Sequence, residues 1–540
     1  MRIHPIFGTA PVSAKAVTEF VNILDHGAVG DGLTNDRQAL VDAVTAASVQ
    51  GKPLLIPTKN FLIDVTGQTA GLVLPANVEI IGVHRTLSKL TFKSTATADK
   101  YAFSIDNDNN VVRNISLVWD GPVNDNGTFF LLNGGNDLRV SDVFIDGGYT
   151  ASNANVVNVF RHPNPGTNFT GLEFLHSEVK GCSRVVLRAS ATTSAASRLR
   201  YIGNYIHDIG LSGIQHNGPN GPIRDVQIIG NLFTGVVATP VEGLMISTAS
   251  GQNFVIANNV FLGDYTTAIH MEEDARNISV TGNVIRGDGV AILLADNDVG
   301  GADKQPQDIV ISGNTMVDGS GTQANDGIQI PVGVQTTLES ARDIIISDNV
   351  LAGYDTGLDI EWSRGIKVRD NIIKGCVKGI QINEPGLEIR DNHLIANTTG
   401  LSAVDGGMFG HQFFEGNATL GASGTGRVSI TGYTLFKRDV SLPATTTTSV
   451  NLGIPIGVKS FGIMKASMFE SSSNHIHHLS EIHWNGTTFV DTEQVTNKVG
   501  SITDNHFLNN SSQLAWSLNN TTAGALIVDL QVRLDGMHIF

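Results

Sequence analysis

The chain has 540 residues with a net charge of −16, 59 glycines and 41% hydrophobic residues. This composition supplies enough apolar sequence for a large core, and the acidic charge argues against nucleic acid as a partner. No apolar run reaches the roughly eighteen residues of a membrane span, so no membrane insertion is expected, and no secretion signal is visible near the start. The two cysteines, Cys182 and Cys376, indicate buried core positions and not a disulfide framework.

Residues 1–18 have no periodicity and predict an N-terminal arm. The segment that follows predicts a strand, a glycine-rich loop and a helix, with Thr34 or Asn35 as the helix cap. Apolar residues at helical spacing support this helix: Ala39, Leu40, Ala43, Val44 and Ala47. A β pattern begins again near Leu54.

The order of these elements resembles a known superfamily. The sequence G-A-V-G-D-G-L-T-N-D (27–36), then the helix, then L-I-P (55–57) is similar to the N-terminal module of the pectate-lyase-like superfamily, in which phage tailspike polysaccharide depolymerases occur. The resemblance implies a right-handed parallel β-helix whose open end is closed by the helix. It assigns no catalytic residue to this segment, because Asp31 and Asp36 fit turn and cap positions.

Residues 72–200 carry β-like runs in a less regular pattern, and residues 201–405 then repeat one short pattern of three such runs separated by Asn, Asp or Gly. The anchoring asparagines lie 21 to 35 residues apart: Asn204, Asn231, Asn259, Asn283, Asn314, Asn349, Asn371 and Asn392. A period of this length with several strands per copy is typical of a solenoid, here a right-handed parallel β-helix with one rung per copy. We expect the asparagines to stack at a sharp corner, each amide bonding the next, because Asn tolerates left-handed backbone. Their predicted role is structural.

The glycine-rich stretch 421–427 ends the repeats, and longer alternating strands follow from about Tyr433. We therefore predict an all-β chain: a parallel β-helix with an N-terminal cap over residues 19–425, and an antiparallel β-sandwich over residues 430–540. A sandwich in this position resembles the trimerising or carbohydrate-binding tail domain of tailspikes, and the resemblance implies a homotrimer.

One candidate site lies on the third run of the repeat, whose alternate residues face outward. Asp359 and Glu361 are followed there by Trp362 and Arg364. Two carboxylates at i and i+2 on a strand are about 6.7 Å apart at Cα, which is compatible with retaining or inverting glycoside hydrolysis. Like charges this close raise the pKa of one group. Trp362 and Arg364 are candidate substrate-binding residues. The alternative interpretation is a solvated acidic edge.

A second candidate site carries His270, Glu272 and Glu273. One rung is about 4.8 Å, so Glu272 beside Asp296 of the next rung is a candidate catalytic pair across rungs. His270 is placed to tune that pair or relay a proton, and Glu273 and Glu242 are further candidates for contact with substrate. The alternative is a turn rich in solvated acids, or a divalent-cation site. The two candidate sites are three rungs, or about 14 Å, apart and would be separate subsites.

A lyase would require basic residues or Ca²⁺ together with a base. The best basic group lies in the earlier rungs: Arg161, His162, His176, Arg184 and Arg188. His475 and His477, in the segment H-I-H-H, fit surface histidines better than zinc ligands. No metal and no organic cofactor are predicted.

These features predict a tailspike-like depolymerase that hydrolyses glycosidic bonds of a bacterial surface or capsular polysaccharide with a carboxylate pair. Its expected location is a phage or prophage virion tail, or the extracellular space. Two alternatives stay open: a lyase or epimerase acting on a uronic-acid polymer, and a spike that binds glycan without cutting it.

Overall fold

The computed structural model describes most of the chain. The described residues are 19–95, 99–121, 127–148, 157–162, 168–188, 195–217, 223–236, 244–295, 305–331, 340–361, 363–383, 387–403, 408–409, 412–415, 417, 419–422, 428–430, 433–442, 447–455, 460–471, 474–484, 489–499, 502–510, 513–520 and 526–539. The chain divides into two compact units, Met1–Gly210 and Leu211–Phe540.

The first unit begins with a short 3₁₀ helix, Ile23–His26, and one α-helix, Arg37–Gln50. The helix buries the apolar residues that the sequence predicted and lies against the strands Val21–Asn22 and Leu54–Ile56. That this helix closes the open end of the β-helix stays a prediction. No helix in the described part of the chain is long and apolar enough to cross a membrane.

Thr34 and Asn35, the predicted caps of this helix, precede the observed N-cap by two residues and one residue, whereas the cap position expected for Asp36 is confirmed. The N-cap is Asp36, and its buried carboxylate accepts from the backbone N–H groups of Val29 (2.7 Å) and Gly30 (3.0 Å) instead of capping the helix. Asn35 Oδ1 accepts from the N–H of Arg37 at 3.1 Å. Asp36 therefore holds the glycine-rich loop, which is a structural role as expected.

In both units the repeating element is a rung of strands that pair in parallel with their equivalents in neighbouring rungs. The strands form three ladders, here called the first, second and third ladder in chain order within a rung. In Met1–Gly210 the first ladder is Val21–Asn22, Leu54–Ile56, Glu79–Gly82, Val111–Arg113, Leu138–Ser141, Phe169–Leu175 and Ala196–Ile202. The second ladder is Asp31–Asn35, Asn60–Asp64, Lys89–Lys93, Ser116–Asp120, Phe144–Asp146, Glu178–Lys180 and Tyr205–Ile209. The third ladder is Leu72–Val73, Lys100–Ile105, Gly127–Leu132, Asn158–His162 and Arg184–Arg188.

The unit Leu211–Phe540 repeats the same arrangement. Its first ladder is Ile223–Ile229, Gly251–Ala257, Arg276–Thr281, Gln307–Ser312, Ala341–Ser347, Ser363–Arg364 with Lys367–Arg369, Glu388–Arg390, Met408–Phe409 and Val428–Ile430. Its second ladder is Leu232–Val236, Val260–Gly263, Val284–Gly287, Thr315–Asp318, Val350–Ala352, Ile372–Lys374, Asn392–Ile395, Gln412–Glu415 and Tyr433–Leu442. Its third ladder is Ser212–Asn217, Leu244–Ala249, Thr267–Glu272, Val290–Ala295, Asp326–Ile330, Thr356–Ile360, Lys378–Ile382, Thr399–Ala403 and Thr419–Ala422.

Stacked apolar side chains fill the space between the ladders. In the third ladder of Met1–Gly210, Phe103, Phe130 and Phe160 stack with ring centroids 5.5 and 5.4 Å apart. Each of them is fully buried, and burial of such stacks stabilises one rung on the next. Cys182 and Cys376 are buried free thiols, as expected. The chain is thus a right-handed parallel β-helix, as the sequence predicted.

Buried asparagines occupy the corner between the first and second ladders of Leu211–Phe540. From Asn231 to Asn392, each side-chain amide donates to Oδ1 of the next asparagine over 2.9–3.0 Å. The same Oδ1 also accepts the backbone N–H of the preceding asparagine. All of these residues are at most 1% exposed. The predicted amide ladder is confirmed from Asn231 to Asn392.

The predicted reason for asparagine at this corner is wrong. The left-handed residue is the one before each asparagine: Gly230, Asn258, Gly282, Gly313, Asp348, Asp370 and Asp391. Asparagine is required instead because its side-chain amide has both an NH₂ donor and a carbonyl acceptor. These groups form hydrogen bonds with buried backbone groups of neighbouring rungs. Asn283 shows this, since its Nδ2 also donates to the carbonyl of Ile256 at 3.0 Å.

After residue 447 the strands pair antiparallel. Tyr433–Leu442 pairs in parallel with the rung strand Gln412–Glu415 and antiparallel with Leu526–Ile539, so one sheet continues past the glycine-rich stretch. That sheet goes on through Ser460–Ser471, Asn474–Trp484 and Phe489–Val499. A second antiparallel sheet consists of Thr447–Pro455, Gln513–Asn520 and Ile502–Asn510. Packing of the two sheets as a sandwich, and the domain boundary near residue 425, stay predictions.

Candidate functional site

One column of outward-facing side chains runs along the third ladder of Leu211–Phe540. Strand register aligns one residue from each rung: Gln215, Ser247, His270, Leu293, Gln329, Asp359, Gln381 and Ser402. The isoleucines and leucines on either side of Asp359, Leu358 and Ile360, are fully buried, so the column points away from the core. His270 and Asp359 are three register steps apart, as predicted, which corresponds to about 14 Å.

In one rung the repeat pattern predicts Leu244 as the first inward residue, which would match Met245 and Ser247 with Gln215 and Asn217. That register is wrong by two residues. In the structure Ile246 occupies that inward position, and Ser247 aligns with Gln215. Two apolar residues at i and i+2 make both registers equally plausible from the pattern alone.

Asp359 lies in this column between two glutamines. Its side chain is almost buried, with 8% of the residue exposed, and Gln381 Nε2 donates to Oδ1 at 3.0 Å. Burial, followed by the negative charges of Asp326 and Glu361, raises the pKa of Asp359 from 3.8 to about 6. The bond from Gln381 and the positive charge of Lys378 oppose this rise. Asp359 is therefore a carboxyl group that keeps its proton into the mildly acidic range.

Glu361 follows Asp359 at the end of the same strand. Its backbone N–H donates to the carbonyl of Ile330 at 2.8 Å, which continues the ladder by one residue. Asn383 Nδ2 donates to Glu361 Oε1 at 2.7 Å. Glu361 is more exposed than Asp359. The two carboxyl groups therefore differ in burial and in hydrogen-bond partners.

A third carboxyl group, Asp326, belongs to this cluster and was missed by the sequence analysis. It begins the preceding third-ladder strand and accepts from Gln329 Nε2 at 2.9 Å and from the N–H of Thr356 at 3.2 Å. Burial and the charge of Asp355 raise its pKa. The signal was available, because D-G-I-Q-I (326–330) aligns with T-G-L-D-I one rung later, but an Asp before Gly reads as a turn residue.

Lys378 supplies a positive charge to this cluster of carboxyl groups. It aligns with Thr356 one rung below it, and its Nζ donates to Gln381 Oε1 at 2.5 Å. Gln381 in turn donates to Asp359. Lys378 and Gln381 therefore orient the acid, since a bound glutamine carbonyl fixes the direction of the amide N–H.

The second predicted site is organised around His270, which is 7% exposed. Its Nε2 lies 3.8 Å from Glu272 Oε2. Burial lowers the pKa of His270 and the Glu272 charge partly opposes this, so the ring is neutral near neutral pH. Neither ring nitrogen has a hydrogen-bond partner among the described residues. Glu273 has a positive φ of 53° and accepts from Ser250 Oγ at 3.1 Å, toward the preceding rung.

Several predicted residues cannot be placed in either cluster. Glu242, Asp296 and Trp362 lie outside the described residues, so the Glu272–Asp296 pair and the Trp362 contact stay predictions. Arg364 is exposed and aligns with Arg342 in the first ladder. It thus belongs to a different ladder from Asp359.

The basic residues considered for a lyase are distributed over several positions of Met1–Gly210. Arg161 lies on the third ladder, forms an ion pair with Asp99 at 2.9 Å and lies 6.0 Å from the Tyr101 ring centroid. His176 lies in a turn with φ 50°. The Arg188 side chain is outside the described residues. Among the described residues, no group of three or more His, Cys, Asp or Glu side chains is arranged to hold a metal ion.

Comparison with known proteins gives distant similarities. Residues 303–418 match a family described as periplasmic copper-binding protein (NosD). No curated protein is similar in sequence. Tailspike protein of E. coli bacteriophage HK620, solved as a mutant with a pentasaccharide, is similar over 97% of this chain and 94% of its own, at 11% identity and TM-score 0.43. Tailspike protein 3 of bacteriophage CBA120 is similar over 78% and 63%, at 13% identity and TM-score 0.45.

An alpha-1,3-glucanase of glycoside hydrolase family 87 from Streptomyces thermodiastaticus is also similar, over 78% of this chain and 67% of its own, at 14% identity and TM-score 0.38. The surface adhesin PfbA of Streptococcus pneumoniae is similar over 78% and 92%, at 13% identity and TM-score 0.38. The three parallel ladders confirm the parallel β-helix fold that the sequence resemblance implies.

Proposed function

We propose that the chain is a glycoside hydrolase that cleaves a bacterial surface or capsular polysaccharide, with Asp359 as general acid. The observation that carries the proposal is the environment of Asp359: an outward-facing, nearly buried carboxyl group whose pKa is raised to about 6 beside two further carboxyl groups. Glycoside hydrolysis requires a protonated and an ionised carboxyl group on either side of one bond.

In this mechanism Asp359 donates its proton to the glycosidic oxygen as the bond to the anomeric carbon breaks. Glu361, the more exposed of the two carboxyl groups, either activates a water molecule or attacks the anomeric carbon. Asp326 supports the reaction through its charge, because a nearby negative charge keeps the proton on Asp359. The predicted pair Glu272 and Asp296 is the alternative catalytic pair, with His270 as the neutral neighbour of Glu272.

A long third ladder suits a polymer substrate. Rungs repeat about every 4.8 Å and carry polar side chains at matching positions, such as Gln215, Ser247 and Gln329, so successive sugars meet similar surfaces. This supports an extended glycan as the substrate.

The proposal is tested by turnover of Asp359→Asn on a polysaccharide that the protein binds. We expect a loss of about 10²- to 10⁴-fold in kcat, with polymer binding unchanged. Asp308→Asn is the matched control, because Asp308 is exposed on the first ladder and its φ of 55° is tolerated by Asn. Equal turnover of Asp359→Asn and wild type would exclude Asp359 as the acid.

We further propose a homotrimer in a virion tail or outside the cell. Exposed apolar side chains on the second ladder support an interface between copies: Leu262, Val284 and Ile372. Light scattering coupled to size-exclusion chromatography tests this, and a monomer at micromolar concentration would contradict it.

A further inference from the structure

A cleft on the first ladder of Met1–Gly210 has a charge opposite to that of the whole protein. Its lining residues are Asp137, Leu138, Arg139, Gly171, Glu173, Arg198 and Arg200, and its volume is about 290 Å³. Three arginines and two acids give it a net positive charge within a chain of net charge −16. The candidate catalytic residues lie in the other unit and on the third ladder, so this cleft is a separate feature.

Strand register builds the wall of the cleft. Arg139, Glu173 and Arg200 align on three successive strands. Their neighbours alternate inward and are buried: Leu138, Val140, Leu172, Phe174, Leu199 and Tyr201. The three charged side chains therefore stack on the outer face about 4.8 Å apart.

Three residues with left-handed backbone also line the cleft. Asp137, Gly171 and Arg198 each precede an inward leucine, and their φ angles are 56°, 84° and 57°. A Cβ at Gly171 would collide with the Asp137 carboxylate. Because Gly171 has no side chain, the Asp137 carboxylate fits beside it, and Asp137 Oδ1 accepts a hydrogen bond from Arg198 Nη2 at 3.2 Å.

The cleft holds more hydrogen-bond donors than its own acceptors can use. Glu173 is shared between Arg139 (3.5 Å) and Arg200 (3.0 Å), and Asp137 pairs with Arg198. Each guanidinium carries five N–H donors, so three guanidinium groups far exceed the four carboxylate oxygens. All three arginine side chains are at least half exposed, which leaves their donors accessible.

We propose that this cleft binds the carboxylate of an acidic sugar, so that the polysaccharide recognised by this protein contains uronic acid or a similarly charged residue. A planar guanidinium matches a carboxylate through two parallel hydrogen bonds. The volume is at the lower limit of ligand pockets and fits one sugar residue. The inference rests on the proposed function only in taking the ligand to be a glycan.

The test compares D-glucuronate with D-glucose, which differ by the carboxylate, by isothermal calorimetry or saturation-transfer NMR on the full-length chain. We expect glucuronate to bind and glucose not to bind. The double variant Arg139→Gln with Arg200→Gln should weaken glucuronate binding about ten- to a hundredfold. Arg113→Gln is the matched control, since Arg113 lies on the same ladder and is paired with Glu79 outside the cleft.

Arg200→Lys keeps the charge and removes the planar fork, so it should also weaken binding. Because these ion pairs are exposed, the variants should keep the wild-type melting temperature. Glucose binding as well as glucuronate, or equal loss in Arg113→Gln, would overturn the proposal. Equal affinity for inorganic sulfate or phosphate would overturn the assignment to a sugar carboxylate. Binding is read without turnover, so a failed hydrolysis assay leaves this result intact.

Discussion

The raised pKa of Asp359 predicts a specific dependence of stability on pH. In the unfolded chain an aspartate ionises near pH 3.8, whereas in the folded protein Asp359 ionises near pH 6. Between these values the unfolded state releases the proton and the folded state keeps it. The free energy of unfolding therefore falls as pH rises from about 4 to 6, and stays lower above that range.

The size of this effect follows from the two pKa values. At about 1.36 kcal/mol per pH unit, the difference between 3.8 and about 6 corresponds to at most about 3 kcal/mol. Partial solvent screening at the outer face of the ladder reduces this to a range of about 1–3 kcal/mol. An unfolding entropy of about 2.1 cal/mol/K per residue over 540 residues converts that range into about 1–3 °C in Tm.

In Asp359→Asn the side chain cannot ionise, so the cost of a buried negative charge in the folded state is removed. The amide oxygen can still accept the hydrogen bond from Gln381 Nε2. We expect its Tm to match wild type near pH 4 and to exceed it by about 1–3 °C at pH 8. Differential scanning calorimetry at a series of pH values measures this, with Asp308→Asn as control because that side chain is exposed. A Tm difference that does not change with pH would refute the reasoning about Asp359.

Further predictions concern the acid cluster and the amide ladder. Asp326→Asn removes a negative charge near Asp359 and should move the alkaline limb of the profile of kcat/KM against pH to lower pH. Gln381→Leu removes a hydrogen bond to ionised Asp359 and should move the same limb to higher pH. Shifts of the two variants in the same direction would contradict this. Asn283→Ala should lower the free energy of unfolding by about 2–5 kcal/mol in urea titrations, because it leaves buried groups of the preceding and the following rung unpaired. The exposed control Thr315→Ala should stay within about 0.5 kcal/mol of wild type, and an equal loss in both would contradict the role of the ladder.

The sequence predicted the β-helix because the residue patterns that specify this fold are local and repeat from rung to rung. The spacing of Asn231 to Asn392 and the alternation of isoleucines specify rung, corner and inward face in the same way each time. The outward direction of Asp359 and Glu361 follows from that alternation. Where two registers bury equally apolar residues, as around Leu244 and Ile246, the pattern does not choose, and strand pairing decides.

Other parts of the site depend on contacts between rungs that are distant in sequence. Asp326 acts on Asp359 from 33 residues earlier in the chain, and Lys378 acts through Gln381 from the following rung. The arginine cleft brings together Asp137 and Arg198, which are 61 residues apart in the chain. The alignment of D-G-I-Q-I with T-G-L-D-I marks Asp326 as a neighbour of the acid, but no local pattern marks the residues of the arginine cleft as neighbours, because loop lengths vary between rungs.

The central claim is that Asp359 acts as the acid in hydrolysis of a polysaccharide, and one measurement tests it most directly. Wild type, Asp359→Asn and Asp308→Asn are incubated with a panel of bacterial capsular polysaccharides and exopolysaccharides, and reducing ends and near-UV absorbance are followed together. We predict reducing ends without new absorbance for wild type and Asp308→Asn, and neither signal for Asp359→Asn on the same polymer. Absorbance that rises with the reducing ends would show an eliminating lyase, and undiminished turnover by Asp359→Asn would contradict the assignment of the acid.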